Sequence, residues 1–176
     1  HVIFYDDCLF IRGPKLEERV LEFTTALRAG GWIGTFPLEL RCDAVTNLSE
    51  TALSALVESG CRQINMGVEK GQPGQLRRLR KAFSPTVARE ACERLDASGL
   101  RSAGTFIMGG PGEDEADLEG TVLFAESLPL DFAHFNPLAN DGDVIGAGPG
   151  LFGIRRHRSL RHAGINLRLV RVPRHH

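Results

Sequence analysis

Acidic, basic and glycine residues that could take part in chemistry follow several short apolar runs of this sequence. The four groups are Tyr5-Asp6-Asp7, Arg41 with Asp43, Gly67-Val68-Glu69 and Met108-Gly109-Gly110-Pro111-Gly112. Adjacent carboxylates accept hydrogen bonds from an ammonium group or bind a divalent cation. Glycine lets a ligand or a second backbone approach closely, and a glycine-rich turn presents N–H groups to an anion. These residue types predict a ligand pocket that combines charged side chains with exposed backbone.

Five predicted strands, alternating with helices, position these groups. The strands cover residues 2–5, 37–45, 63–68, 102–108 and 132–137, and the helices cover 14–29, 49–60, 75–82, 84–99 and 114–128. This alternation is typical of βα units and predicts a parallel sheet, either open and doubly wound or an arc of a barrel. In both architectures ligands bind at the carboxyl ends of the strands. The four groups follow strand ends and are therefore expected to share one pocket.

Each group also has a structural interpretation without a ligand. Asp6 and Asp7 could form a solvated turn or a helix cap. Glu69 could be a surface residue, and Arg41 and Asp43, which alternate along the predicted strand, could pair with each other. The acids after the glycine-rich turn argue against a phosphate there. The residue types alone leave these alternatives open.

Histidine and cysteine do not indicate a metal site. The body of the chain has only two histidines, His1 and His134, which excludes a three-histidine site there. The four cysteines lack the spacing of a zinc, CxxC or iron–sulfur motif, and they are Cys8, Cys42, Cys61 and Cys92. We expect buried thiols that act as small hydrophobic groups, without disulfides.

Composition and charge divide the chain into two parts. The 176 residues are 42% hydrophobic and 24% charged, which is typical of one globular domain, and no apolar run is long enough to span a membrane. A cytoplasmic protein is expected. Residues 1–140 carry 14 basic and 20 acidic residues, a net charge of −6, whereas residues 141–176 carry 7 and 2, a net charge of +5. The body therefore does not favour nucleic-acid binding.

The Arg/Gly/His-rich segment 141–176 is expected to be an irregular tail outside the domain of residues 1–140. Three interpretations stay open for it. It could be sequence that does not fold with the body, for example an out-of-frame translation, or a family-specific extension. It could also be an RNA-contacting arm, on the basis of its seven arginines.

The motifs, taken in order, resemble the core of radical S-adenosylmethionine enzymes, particularly those whose core follows a cobalamin-binding domain. The resemblance covers about residues 2–138 and rests on FYDDCLF, LELRCDAVTNLSETALSALVESGCRQINMGVEKG, SPTVARE with ASGL, and TFIMGGPGEDEAD. It implies an α/β fold, a partial (β/α)6 TIM-like barrel, with about five βα units present as the family's strands two to six. It also implies S-adenosylmethionine and a 4Fe-4S cluster as cofactors, and cobalamin through a preceding domain.

The resemblance also implies which residues contact the cofactor. Tyr5, Asp6 and Asp7 match the motif that meets the amino group of S-adenosylmethionine, and Arg41 and Asp43 match positions on the next strand. Gly67, Val68 and Glu69 match the motif near the carboxylate and ribose. Met108, Gly109, Gly110, Pro111 and Gly112 match the turn that passes the adenine. No catalytic residue and no metal ligand is assigned.

Two departures from the family pattern bear on function. The sequence has no CxxxCxxC loop, and Phe135-Asn136-Pro137-Leu138 does not continue into a proline-glycine-threonine turn. We therefore expect a fragment whose cluster ligands lie outside the chain and which is inactive alone. The parent enzyme would methylate or rearrange a small-molecule, lipid or peptide substrate, with a flavodoxin or ferredoxin as electron donor.

Two other functions stay open. The chain could be a non-catalytic α/β module that binds an adenosine-type ligand. It could also be a barrel enzyme that uses Asp6, Asp7 and Glu69 for acid–base or metal chemistry without a redox step.

Overall fold

The computed structural model describes residues 1–4, 9–79, 83–110, 112–137 and 152–155, the last of these as backbone only. The described strands form one sheet in the order β1-β2-β3-β4-β5. The strands are β1 (Phe36–Leu40), β2 (Cys61–Glu69), β3 (Arg101–Met108), β4 (Phe132–Pro137) and β5 (Phe152–Arg155). β1, β2, β3 and β4 run parallel to one another, and β5 pairs antiparallel with β4.

One helix precedes β1, and the other helices connect the parallel strands. They are α1 (Leu16–Ala29), α2 (Cys42–Val45), α3 (Glu50–Glu58), α4 (Pro73–Arg78), α5 (Pro85–Ser98) and α6 (Glu115–Ser127). Because sequential strands are also neighbours and such crossovers are right-handed, all the connecting helices lie on the same face of the sheet. This order is that of a barrel arc, since a doubly wound sheet must reverse its strand order. The predicted parallel α/β fold and partial barrel are confirmed.

Local sequence signals set the helix boundaries as predicted. The Ser49 hydroxyl accepts a hydrogen bond from the Ala52 N–H at the start of α3. Gly99 ends α5 in the left-handed conformation, with φ of +79°. Asp114 and Asp117 form a reciprocal capping box at the start of α6. Ser84 precedes α5 as expected, but its side chain makes no capping bond to the helix.

Two strand predictions at the start of the chain were wrong in part. Residues 2–4 form no strand; Val2 donates one backbone hydrogen bond to the Thr35 oxygen, and the Phe4 ring packs against Phe36 instead. The strand predicted over residues 37–45 ends at Leu40 and is followed by α2, because the chain turns at Arg41. Residues 5–8 lie outside the described part of the chain.

The predicted tail contains a described strand. Backbone hydrogen bonds join β5 to β4, with His134 opposite Gly153, inside the segment that the composition marks as irregular. The domain boundary at residue 140 stays a prediction, because residues 138–151 and 156–176 lie outside the described residues.

The core lies between the sheet and the helices. Leu38, Ile64 and Met66 from the strands pack with Leu53 and Leu95 from α3 and α5, and all five are at most 2% exposed. In the described residues, no helix combines the length and hydrophobicity that crossing a membrane requires.

Arg94 joins α5 to the end of α2, and its loss should be costly. Its guanidinium donates hydrogen bonds to the oxygens of Val45, Thr46 and Leu48 and pairs with Glu50. We expect Arg94→Met to lower the free energy of unfolding by about 2–3 kcal/mol, because the substitution leaves partly buried carbonyls without a donor.

Urea unfolding measures this loss, with Arg28→Met as the control. Arg28 pairs with Glu58 at 2.9 Å, but half or more of both side chains is exposed, so its loss should cost about 0–1 kcal/mol. Equal losses in the two variants would contradict the assigned role of Arg94.

Candidate functional site

The described site residues lie together at the carboxyl edge of the sheet. Arg41 and Asp43 follow β1, and Gly67 to Glu69 end β2. Met108 ends β3, and Gly109, Gly110 and Gly112 follow it. Tyr5, Asp6, Asp7 and Pro111 lie outside the described residues. The described residues therefore share one edge of the sheet, and that they share one pocket stays a prediction.

Asp43 is buried beneath two arginines. Arg41 Nε and Nη2 donate to its two carboxylate oxygens at 2.9 and 3.0 Å, and Arg12 Nη1 donates to Oδ2 at 3.1 Å. Arg41 and Asp43 therefore pair with each other, as the interpretation without a ligand expected. They do so across the start of α2 and not along the face of a strand. Hydrogen bonds from Arg41 outweigh the opposing effect of burial and, helped by the charges of Arg41 and Arg12, lower the pKa of Asp43.

Acid should weaken the fold through this carboxylate. A folded-state pKa below the unfolded value contributes stability at higher pH, and that contribution is lost as the pH falls through the folded pKa. Glu113 acts in the same direction, because its pKa is also lowered. We expect the free energy of unfolding, measured in urea between pH 7 and pH 3, to fall with acidification. Asp43→Asn should make the fall shallower, and parallel curves for the two proteins would contradict this.

Glu69 adopts an unusual backbone conformation at the end of β2. It has a φ of +69°, in the left-handed region, and it is the only described non-glycine residue with positive φ. The register with β3 shifts between Gly67 and Glu69, as at a bulge, and Val68 between them is fully buried. The bulge brings the Glu69 carboxylate over Gly67, where a methyl group on Gly67 would lie 2.6 Å from Oε1.

Backbone strain of this kind is concentrated at functional sites, and it costs about 1–3 kcal/mol. Glu69 is 6% exposed, so the surface interpretation of this residue is wrong. The predicted close approach at Gly67 is real, but the group that approaches is the Glu69 carboxylate.

Cys42 connects the ends of β1 and β2. Cys42 is the first residue of α2, and its thiol donates a hydrogen bond to the Gly67 oxygen, with a sulfur–oxygen distance of 3.7 Å. Burial, and next the neighbouring Cys92, Asp43 and Glu69, raise the pKa of Cys42 to about 12. Cys42 is thus a neutral structural thiol beneath the site.

The turn after β3 is held by a buried ion pair that sequence reasoning missed. Gly109 and Gly112 have positive φ, of +76° and +77°. The Gly110 N–H donates to Glu113 Oε2 at 2.9 Å, and Glu113 Oε1 pairs with Lys70 Nζ from the segment after β2. Burial alone would raise the pKa of Glu113, but the bonds from Lys70 and Gly110 and the Lys70 charge lower it. The sequence signal that was available for this pair is a lysine shortly after the end of β2 and a glutamate shortly after the end of β3.

A polar ladder runs across the sheet on the face away from the helices. Gln63 Nε2 donates to Asn65 Oδ1 at 2.7 Å, and Asn65 Nδ2 donates to Glu39 Oε1 at 2.6 Å. The alternating burial of β1 and β2 puts these three side chains on the face that looks inward in a closed barrel. Closed barrel interiors are usually filled with bulky apolar layers, so this polar face differs from a purely structural one.

The described cysteines do not fit an iron–sulfur cluster. Cys42, Cys61 and Cys92 are buried free thiols, and burial is the main cause that raises the pKa of each to about 12. Within the described ranges, no group of three or more His, Cys, Asp or Glu side chains could hold a metal ion. The expectation of structural thiols is confirmed for these three, and Cys8 lies outside the described part.

Family comparison agrees with this arrangement. The family model of the Radical SAM superfamily matches residues 7–125, which include the ends of β1, β2 and β3. The chain belongs to the Radical SAM superfamily. An uncharacterized methyltransferase from Pyrococcus horikoshii is 32% identical over 91 residues, which are 52% of this chain and 20% of that protein.

Solved radical SAM structures share the fold. The cobalamin-dependent S-adenosylmethionine radical enzyme OxsB superposes with a TM-score of 0.62 at 20% identity, over 73% of this chain and 20% of its own. The radical S-adenosylmethionine methyltransferase TsrM from Kitasatospora setae superposes with a TM-score of 0.54 at 14% identity, over 70% of this chain and 24% of its own. The chain thus spans about a fifth of the length of these radical SAM proteins.

Proposed function

We propose that this chain forms the S-adenosylmethionine-binding side of a radical SAM barrel. In the whole protein, S-adenosylmethionine and a 4Fe-4S cluster would supply a 5'-deoxyadenosyl radical for methylation or rearrangement of a substrate. Membership of the Radical SAM superfamily supports the reaction class. The observation that carries the proposal is the Glu69 corner, by which we mean the last residue of β2 with its left-handed backbone. There the strained backbone holds a buried carboxylate at the end of the strand.

The described residues fit S-adenosylmethionine. A buried carboxylate at Glu69 suits hydroxyl or ammonium hydrogens, because charge-assisted hydrogen bonds are strong where water is excluded. At Gly109, a methyl group would meet no atom of the described residues within 4 Å, so this backbone leaves room for a flat ring such as adenine. Asp43 would act indirectly, because both its oxygens already accept from arginines, and would position Arg41 at the pocket edge. We propose that Tyr5, Asp6 and Asp7 complete the site.

The cluster ligands are proposed to lie elsewhere in the whole protein. This is supported by the lack of a CxxxCxxC motif in the sequence and by the burial of the described cysteines. For the whole protein we propose cobalamin, an electron donor of the flavodoxin or ferredoxin type, and a small-molecule, lipid or peptide substrate, on the basis of the resemblance. A cytoplasmic location is proposed on the basis of the composition. The chain alone would be inactive.

Binding and chemistry can be tested separately. Calorimetry with S-adenosylmethionine should show binding to the chain. Anaerobic incubation with iron, sulfide and reductant should yield neither a visible cluster absorption nor 5'-deoxyadenosine from the chain, but both from the whole protein. A whole protein that binds S-adenosylmethionine and never forms 5'-deoxyadenosine would instead be the non-catalytic adenosine-binding module. A chain that does not bind S-adenosylmethionine would overturn the proposal.

A further inference from the structure

Lys70 and Glu113 form an ion pair almost without solvent contact. Their side chains are 1% and 5% exposed, and Lys70 Nζ directly contacts Glu113 Oε1. Removing two charges from water costs several kcal/mol per ion, so a buried pair is weak evidence for stability. Such a pair is better explained where it fixes one arrangement of the surrounding backbone.

The pair joins two backbone segments that both belong to the candidate site. Lys70 directly follows Glu69, the residue with left-handed φ, and its N–H donates to the Val68 oxygen at 2.9 Å. On the other side, the second carboxylate oxygen of Glu113 accepts the Gly110 N–H. One carboxylate therefore ties the corner after β2 to the turn after β3.

Close packing also joins the segment after β2 to α6, the helix that follows the glycine turn. A methyl group at Gly71 would lie 2.5 Å from Phe124 Cβ of α6, so the backbone there rests directly against the helix. A methyl group at Gly120, one turn earlier in α6, would likewise overlap Gln72 Nε2. The segment after β2 thus packs directly against the helix that follows the turn.

We propose that Lys70 is a positioning residue that couples the Glu69 corner to the glycine turn, so that both halves of the S-adenosylmethionine site form together. This inference rests on the proposed function. Lys70 acts through Glu113, which orients the Gly110 N–H and the turn beside it. Loss of the coupling should weaken binding of the adenosine part of the ligand, even where the fold is intact.

The double variant Lys70→Met/Glu113→Gln tests the coupling without leaving a buried charge alone. The glutamine oxygen can still accept the Gly110 N–H, and hydrophobic replacement of a buried pair is often neutral for stability. We expect the urea midpoint to stay close to wild type and the Kd for S-adenosylmethionine to rise about tenfold. Hydrogen exchange at the Gly110 amide should become at least tenfold faster, because Lys70 no longer holds the side chain that accepts this N–H in place.

The reversed pair Lys70→Glu/Glu113→Lys adds a second measurement. It restores opposite charges but places no acceptor at position 113 for the Gly110 N–H. We expect it to bind S-adenosylmethionine as weakly as the double variant. Wild-type affinity in the reversed pair would show that the Gly110 N–H needs no acceptor at position 113, and would overturn the assigned route from Lys70 through Glu113 to the turn.

Surface charge is controlled by Arg28→Met/Glu58→Gln, which removes an exposed ion pair between α1 and α3. Its affinity should equal that of wild type. Equal affinities in wild type and Lys70→Met/Glu113→Gln would overturn the coupling alone. No binding to wild type would overturn the proposed function, and the coupling with it.

Discussion

Gly60→Ala is expected to lower the free energy of unfolding by about 3 kcal/mol or more. Gly60 lies between α3 and β2 and has a φ of +100°, a conformation that residues with a Cβ rarely adopt. A methyl group at this position would overlap the Gly34 carbonyl oxygen, which is backbone and cannot rotate away. The Gly60 oxygen also accepts the Phe36 N–H, so any shift would disturb the start of β1.

Gly99→Ala separates the two causes of this loss. Gly99 has a similar positive φ, of +79°, but a methyl group there would meet no atom within 4 Å. Its substitution should cost only the backbone strain, about 1 kcal/mol. Urea unfolding of both variants gives the comparison, and a loss at Gly60 no greater than at Gly99 would show that the contact with Gly34 is unimportant.

The fold was predictable where the signal is local. Helix starts at Ser49 and Asp114 and the helix end at Gly99 depend on capping groups next to each other in sequence. The parallel sheet was predictable because alternating strands and helices permit few topologies. The position of the candidate site followed, since ligands bind at the carboxyl ends of such strands.

The missed features depend on distant partners. The extended segment predicted after Pro37 ends early because Asp43 turns back to meet Arg41 and also Arg12, 31 residues away. Lys70 gave no sign of being buried, because charged residues are nearly always exposed unless paired and its partner Glu113 is 43 positions away. Nor did the sequence show that Glu69 has left-handed backbone, which is rare outside glycine.

Gly67→Ala is expected to weaken S-adenosylmethionine binding about tenfold or more, with little change in stability. Gly67 has no positive φ, so its backbone tolerates alanine, but the added methyl would lie 2.6 Å from Glu69 Oε1. The Glu69 backbone is fixed by its pairing with β3, so its side chain must move instead. The carboxylate would leave the position in which, by the proposed function, it binds the ligand. A tenfold change in affinity corresponds to about 1.4 kcal/mol of binding free energy.

Calorimetry with S-adenosylmethionine and urea unfolding measure the two quantities, with Gly74→Ala as the matched control. A methyl group at Gly74 in α4 would meet only the end of the Arg77 side chain, at 3.9 Å, so affinity should stay at the wild-type value. Glu69→Gln should reproduce the loss seen with Gly67→Ala, since it keeps the shape of the side chain and removes its charge. If Gly67→Ala weakens binding and Glu69→Gln does not, the methyl group blocks the ligand itself, and the carboxylate has no part in binding.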